Sequence, residues 1–134
     1  DQNTIPMWFQ EVISSYVSSL NNCPYSYANH WANARHLMAD DEKAAKVEAA
    51  LRAHSPRDAF EGAELALLYY AEKLTLSPGK ITKEDVDLLK SAGVEDGEIL
   101  EANQIIGYFN YVNRLLNGLG VSTAGDVVGY YQSD

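Results

Sequence analysis

Three residues with reactive side chains stand close together near the start of the chain. Cys23 is followed directly by Pro24, and Ser26 and His30 come further along the same segment. Because proline favours the first turn of a helix, we expect Cys23 at a helix N-terminus. Unpaired N–H groups and the helix dipole favour a thiolate there. Ser26 would lie one turn from Cys23, and His30 one turn further, placed to pass a proton to or from position 26.

Each of these residues also has an ordinary structural interpretation. A cysteine at a helix start is often a small buried side chain, and a helical histidine often lies at the surface. The spacing alone leaves both interpretations open, because short motifs also occur by chance. A metal site is disfavoured, since His30 and His36 face different sides of a helix and no Cys/His cluster supports a ligand set. No cofactor is indicated.

The elements that must position these residues are helices. Apolar residues recur at three- and four-residue spacing, and no segment shows the alternation that is typical of strands. The pattern predicts six helices, over about residues 6–20, 23–38, 41–53, 57–76, 82–92 and 96–118, followed by a tail without a clear period. We therefore predict an all-α bundle of five to six helices, with residues 1–134 forming a single domain.

Cap residues indicate where several helices begin and end. Asp40 is a typical N-cap residue for the third helix, and Ser55 with Pro56 is a typical opening for the fourth. Thr82 and Asp85 form a variant of the capping box. Gly93 is expected to end the fifth helix in left-handed backbone.

Charge and composition exclude several classes of protein. The chain has a formal net charge of −9 at pH 7, so repulsion disfavours nucleic acid as a partner. No run approaches the roughly 20 apolar residues of a membrane-spanning helix. With a single cysteine no internal disulfide can form, which favours a reduced, cytoplasmic setting.

Two longer segments resemble a known family. EVISSYVSSLNNCPYSYANH (11–30) is similar to the AhpD-like core motif, in which a Glu lies twelve residues before a CxxC that is followed by three residues and a His. Residues 65–121 resemble the peroxidase-related branch in their AxKLT, T-x-x-D-V and F-N-x-x-N-R-x-x-x-G-L-G pieces. The chain thus resembles AhpD-like alkylhydroperoxidases, which share a fold with carboxymuconolactone decarboxylase-like proteins. Members usually have a further segment before the Glu helix, so we expect this chain to lack one.

The resemblance implies a role for each residue of the motif. In the family the second cysteine meets peroxide, and the first closes a disulfide that an external dithiol or lipoyl-type partner reduces. By resemblance Cys23 is the resolving cysteine, His30 the proton relay and Glu11 the partner of His30. Ser26 stands in place of the peroxidatic cysteine. A hydroxyl forms neither a sulfenic acid nor a disulfide, so the two-cysteine cycle cannot run within this chain.

The function implied is therefore an antioxidant oxidoreductase that reduces peroxides, altered at Ser26, and a homo-oligomer. Three accounts of Ser26 stay open: a natural one-cysteine enzyme resolved by an external thiol, an engineered substitution, or a fold that has lost redox chemistry. The alternative functions are a decarboxylase-like proton-transfer enzyme and a non-catalytic helical binding protein.

Other polar and aromatic residues are interpreted as structural. Asn110, Asn113 and Arg114 lie on an otherwise apolar helix and need partners when buried, so we expect them to contact another helix end or a neighbouring subunit. Trp8 and Trp31 are expected near the site entrance or a subunit contact. Core or interface positions are expected for the tyrosines at 69, 70, 108, 111, 130 and 131.

Overall fold

The structure is a computed structural model that describes residues 4–121 of the chain. This part is built from six α-helices: α1 Met7–Leu20, α2 Pro24–Met38, α3 Asp41–Arg52, α4 Gly62–Leu76, α5 Lys83–Ser91 and α6 Asp96–Leu119. Two short 3-10 turns, Pro56–Asp58 and Pro78–Lys80, precede α4 and α5. No strand occurs between residues 4 and 121, and the predicted all-α bundle is confirmed. Most of the predicted irregular tail lies outside the described residues.

The fourth helix begins later than the sequence predicts. Ser55 and Pro56 do open helical backbone, but only the 3-10 turn Pro56–Asp58. Helix α4 starts at Gly62, which has a φ of +62°. An α-helix cannot continue through left-handed backbone, so the chain is redirected before this glycine. The buried Phe60 belongs to the core and continues the apolar pattern across the break, which is why one helix over 57–76 was the wrong prediction.

Three predicted helix ends are confirmed. The Asp40 carboxylate accepts the Lys43 backbone N–H (3.1 Å) at the start of α3. Asp85 accepts the Thr82 backbone N–H (2.8 Å) in a capping box at the start of α5. Gly93 follows α5 with a φ of +95°. These ends depend on residues a few positions apart, which makes them predictable from sequence.

Helix α1 lies at the centre of the bundle and contacts α2, α3, α4 and α6. Its buried stripe includes Phe9, Val12, Ile13, Tyr16 and Val17, as the three- and four-residue spacing predicts. Helices α1 and α2 are joined by three residues and pack antiparallel, because early residues of one contact late residues of the other. This pair carries the motif residues.

The aromatic residues divide between core and surface. Tyr70 is buried and its hydroxyl donates to Asn103 (3.0 Å), whereas Tyr69, Tyr108 and Tyr111 are exposed. Trp31 is buried and stacks on Tyr27. The expectations for residues 130 and 131 lie outside the described part of the chain. No helix within residues 4–121 has the length and apolar character needed to cross a membrane.

Candidate functional site

Glu11 of α1 and His30 of α2 form the first contact of the site. Glu11 Oε2 lies 2.7 Å from His30 Nδ1, and the two side chains are 15% and 14% exposed. A carboxylate at Nδ1 selects the tautomer with the proton on that nitrogen and orients the ring. The ring also packs edge-on against Phe109 of α6, with centroids 4.4 Å apart. His30 is therefore held with Nε2 as the nitrogen available for proton transfer.

Ser26 lies in the same pocket as His30. The pocket has a volume of about 330 Å³ and an apolar wall from α6; its lining comprises Tyr25, Ser26, Asn29, His30, Tyr108, Phe109, Val112 and Leu116. Ser26 is buried, and its oxygen accepts a hydrogen bond from the Ser18 hydroxyl (2.8 Å). No direct hydrogen bond joins Ser26 and His30 in this described region. The two side chains thus face a shared space, in which a small molecule or a water could lie between them.

Cys23 lies at the start of α2, as its Pro24 neighbour predicts, but it faces a different pocket. It is the N-cap residue, with a φ of −112° and a ψ of 86°. Because this backbone is not helical, the one-turn spacing rule does not carry the cysteine onto the face of Ser26 and His30. Cys23 is buried and lines a smaller pocket of about 150 Å³ together with Arg52 and Tyr27.

The pocket at Cys23 combines a cation with a neutral phenol. The Arg52 guanidinium lies 4.9 Å from the Tyr27 ring and donates to Glu48 Oε2 (3.3 Å). Burial, with the Glu48 carboxylate adding to it, raises the pKa of Tyr27 to about 12, so this side chain stays protonated at neutral pH. The pocket that Cys23 lines therefore has a guanidinium paired with Glu48, and a protonated phenol, in its wall.

Of the four motif residues, His30 and Ser26 line one pocket, Glu11 is hydrogen-bonded to His30, and Cys23 lines another pocket. Trp8 and Trp31 line neither pocket. Within residues 4–121 no group of three His, Cys, Asp or Glu residues could hold a metal ion.

Sequence reasoning missed Ser18 and Arg52. Ser18 is fully buried on α1 and joins Ser26 to Asn113 of α6, whose Nδ2 donates to it over 3.2 Å. A usable signal existed for Ser18, because it is a polar residue on the buried side of an apolar helix and so needs partners. No sequence signal identified Arg52, since its approach to Cys23 depends on the packing of α3. Asn113 was correctly expected to need a partner.

A larger pocket lies elsewhere, between α4 and α5. It has a volume of about 400 Å³ and a mainly apolar lining that includes Leu65, Tyr69, Leu88 and Leu89. None of the motif residues reaches it. Size therefore does not decide the location of the candidate site, which rests on the polar groups at Ser26 and His30.

The chain is similar in structure to two solved proteins. An uncharacterized peroxidase-related protein from Silicibacter sp. TM1040 matches with a TM-score of 0.81 and 25% identity, over 90% of this chain and 61% of that one. An AhpD-core, uncharacterized peroxidase-related protein from Ralstonia eutropha JMP134 matches with a TM-score of 0.77 and 19% identity, over 88% of this chain and 60% of that one. The second likeness is one of fold.

This chain spans about three fifths of the length of both solved proteins. No protein-family model matches the sequence, and no curated protein matches it significantly. Both neighbours have the same fold as this chain and are described as peroxidase-related. These findings agree with the resemblance in residues 11–30 and 65–121. In structure, the chain is similar to peroxidase-related proteins, one of which has an AhpD core.

Proposed function

We propose that the chain is an alkylhydroperoxidase-type antioxidant oxidoreductase in which Cys23 is the redox-active sulfur. The proposal rests on the Glu11–His30 hydrogen bond of 2.7 Å, beside position 26 of the motif. Such a pair provides an oriented base next to the place where the family carries its peroxidatic sulfur. A surface histidine with a structural role alone would not need a half-buried carboxylate partner.

The chemistry of this chain is that of a single thiol. The Cys23 thiolate attacks one oxygen of a hydroperoxide ROOH; the O–O bond breaks, the sulfur becomes a sulfenic acid, and the leaving alkoxide takes a proton from water and departs as the alcohol ROH. Two equivalents of an external thiol, or one dithiol of lipoyl type, reduce the sulfenic acid back to the thiol and release water. The Arg52 side chain lines the same pocket as Cys23.

The location of His30 makes this one-cysteine reaction slow. Its imidazole shares a pocket with Ser26 and not with Cys23, so the base serves position 26. A sulfur at position 26 would share the pocket of the base, and Cys23, three residues before it, is the resolving cysteine that the resemblance implies. We therefore expect Ser26→Cys to raise peroxide consumption in the presence of a dithiol by roughly 100-fold, the lower end of the range that a positioned acid–base group supplies.

Peroxide consumption with a dithiol reductant tests the proposal. The unmodified protein is expected to show slow turnover that Cys23→Ser abolishes, and Ser26→Cys is expected to show the gain. Adding His30→Gln to Ser26→Cys is expected to remove most of that gain. The matched control is His36→Gln, the same change on the same helix at an exposed position outside both pockets.

A folded Ser26→Cys variant that consumes peroxide no faster than the unmodified protein would contradict the proposal. Such a result would favour the decarboxylase-like proton-transfer chemistry or the binding role, since both need the pocket at His30 without a reactive sulfur. Circular dichroism and thermal melting of each variant separate a loss of fold from a loss of chemistry.

A further inference from the structure

Hydrogen bonds between side chains of α6 and the α1–α2 turn form a connected network. Arg114 Nη1 donates to Asn110 Oδ1 over 2.9 Å. Asn21 Nδ2 donates to Asn110 Oδ1 (2.9 Å) and to Asn113 Oδ1 (3.0 Å). The other end of the Asn110 amide, Nδ2, donates to the Ile106 carbonyl (2.9 Å). The amide side chains of Asn110, Asn21 and Asn113 thus link the Arg114 guanidinium to the interior of the bundle by successive hydrogen bonds.

The Arg114 guanidinium fixes the orientation of every amide in this network. A guanidinium only donates, so the atom of Asn110 that faces Arg114 has to be the oxygen. Asn21 then has to present its nitrogen to that oxygen. The same nitrogen also faces Asn113, which therefore presents its own oxygen to Asn21. The nitrogen of Asn113 is left pointing in the opposite direction, toward Ser18.

The same reasoning extends to Ser26. Ser18 accepts a hydrogen bond from Asn113, and its single proton is donated to the Ser26 oxygen. Ser26 therefore uses a lone pair in this contact and keeps its own proton for another partner. Asn113 and Ser18 are both fully buried, so water does not compete with them. Ser26 and His30 line the same pocket, and we expect the Ser26 proton to point into it.

We propose that Asn113 and Ser18 are positioning residues that deliver an oriented hydrogen-bond donor to the reactive atom at position 26. With serine there, the donor holds the hydroxyl so that its proton enters the His30 pocket. With a sulfur there, the same donor stabilises the thiolate, because hydrogen bonds to a charged acceptor are the stronger kind. The inference rests on the proposed function for the choice of position 26 as the reacting position.

The pH dependence of thiol alkylation tests this role directly. The starting protein carries Ser26→Cys together with Cys23→Ser, so that it has one thiol, and its reaction rate with iodoacetamide is measured against pH. Adding Ser18→Ala removes the donor and is expected to raise the pH of half-maximal rate by about one unit. Asn113→Asp is expected to raise it as well, because a carboxylate cannot donate to Ser18 and draws the Ser18 proton away.

Matched controls separate positioning from general effects on stability. Ser14→Ala removes another buried hydroxyl of α1, one that donates to the Gln10 carbonyl of its own helix. Asn103→Asp makes the same amide-to-acid change on α6, about 15 Å from Asn113 by helix rise. Both are expected to leave the alkylation profile unchanged.

Other titratable groups that face this pocket are common to all the variants and cancel in the comparison: Glu11 of α1, Tyr25 and His30 of α2, and Tyr108 of α6. An equal profile for Ser18→Ala and Ser14→Ala would overturn the inference. Where Asn113→Asp fails to fold, the Ser18→Ala comparison decides. The profile is read from alkylation alone, so a failure of peroxide reduction and a failure of this inference are separate results.

Discussion

The Ser26 oxygen removes thiol chemistry from position 26, but it fits the hydrogen bonds around it. The Ser26 oxygen accepts from Ser18 in a buried contact and stands in the pocket of His30. It cannot be oxidised as a thiol can. The remaining sulfur, Cys23, lies at a pocket that His30 does not line. At the scale of single residues, the proton relay and the thiol of this chain are therefore separated.

The Asp85 carboxylate caps α5 and makes the stability of the fold depend on pH. The Thr82 backbone N–H and then the Lys73 ammonium, 2.9 Å away, hold the pKa of Asp85 below its ordinary value. A carboxyl with a lowered folded-state pKa stabilises the fold above its unfolded pKa, and this stabilisation is lost as the pH falls through the folded value. We expect Asp85→Asn to lower the melting temperature at pH 7 and to make little difference at pH 2.

The control is Asp87→Asn on the same helix, where the carboxylate forms an i,i+4 pair with the exposed Lys83. Such a pair contributes little, so its loss is expected to change the melting temperature only slightly at either pH. If Asp85→Asn lowered the melting temperature equally at pH 7 and pH 2, the cap would not be the source of the effect.

The antiparallel pair of α1 and α2 positions the site at the scale of elements. The short turn between the helices sets their register, which places Glu11 opposite His30 and Ser18 opposite Ser26. Helix α6 completes the site by supplying Phe109 against His30 and an apolar pocket wall. A site built on helices is held more firmly than one on loops, because each side chain is fixed by packing on two sides.

The end of α2 contains backbone strain that one substitution should relieve. Ala39 caps the helix with a φ of +52°, in the left-handed region that disfavours residues with a Cβ. Glycine adopts this conformation without that cost. We expect Ala39→Gly to raise the free energy of unfolding by about 0.5–1 kcal/mol, measured by urea denaturation.

Ala53 is the matched control for Ala39, because it also follows the end of a helix but has right-handed backbone. It caps α3 with a φ of −81°, which alanine adopts readily. Ala53→Gly adds only flexibility to the unfolded chain and is expected to lower the free energy of unfolding. A destabilising Ala39→Gly would show that the strain at residue 39 is compensated elsewhere.

At the scale of the whole molecule, helix α6 presents an apolar stripe that is exposed in the described part of the chain, residues 4–121. The stripe consists of Tyr108, Tyr111, Leu115 and Leu119, which are 48–80% exposed and recur at three- and four-residue spacing. A contiguous stripe of large apolar side chains is typical of a contact with another protein surface. Tyr108 also lines the pocket of His30. The resemblance implies a homo-oligomer, and we expect two copies of the chain to associate through this stripe.

Association through the stripe predicts a specific mutational effect. Leu115→Lys places a charge in the contact and is expected to reduce the molar mass seen by light scattering to that of the monomer. Ser91→Lys, at an exposed position at the end of α5, is expected to leave the mass unchanged. A chain that is monomeric before any substitution would refute the association.

The sequence by itself determined the helices, most of their ends and the location of the motif. Asp40, Thr82 with Asp85, and Gly93 act on backbone within one turn, so their effects can be read without the fold. The start of α4 was missed because Phe60 continues the apolar pattern across the left-handed Gly62. The likeness of residues 11–30 to a known motif pointed to Glu11 and His30 as partners.

Only the tertiary structure decided which pocket each motif residue faces. Cys23 has non-helical backbone as a cap, so its side chain leaves the helical stripe on which the sequence pattern placed it. The donor that reaches Ser26 starts from Asn113, 95 residues beyond Ser18 in the chain. Contacts at that separation depend on how α6 packs against α1. No local pattern encodes that packing, so the direction of the hydrogen bonds at Ser26 can be read only from the assembled helices.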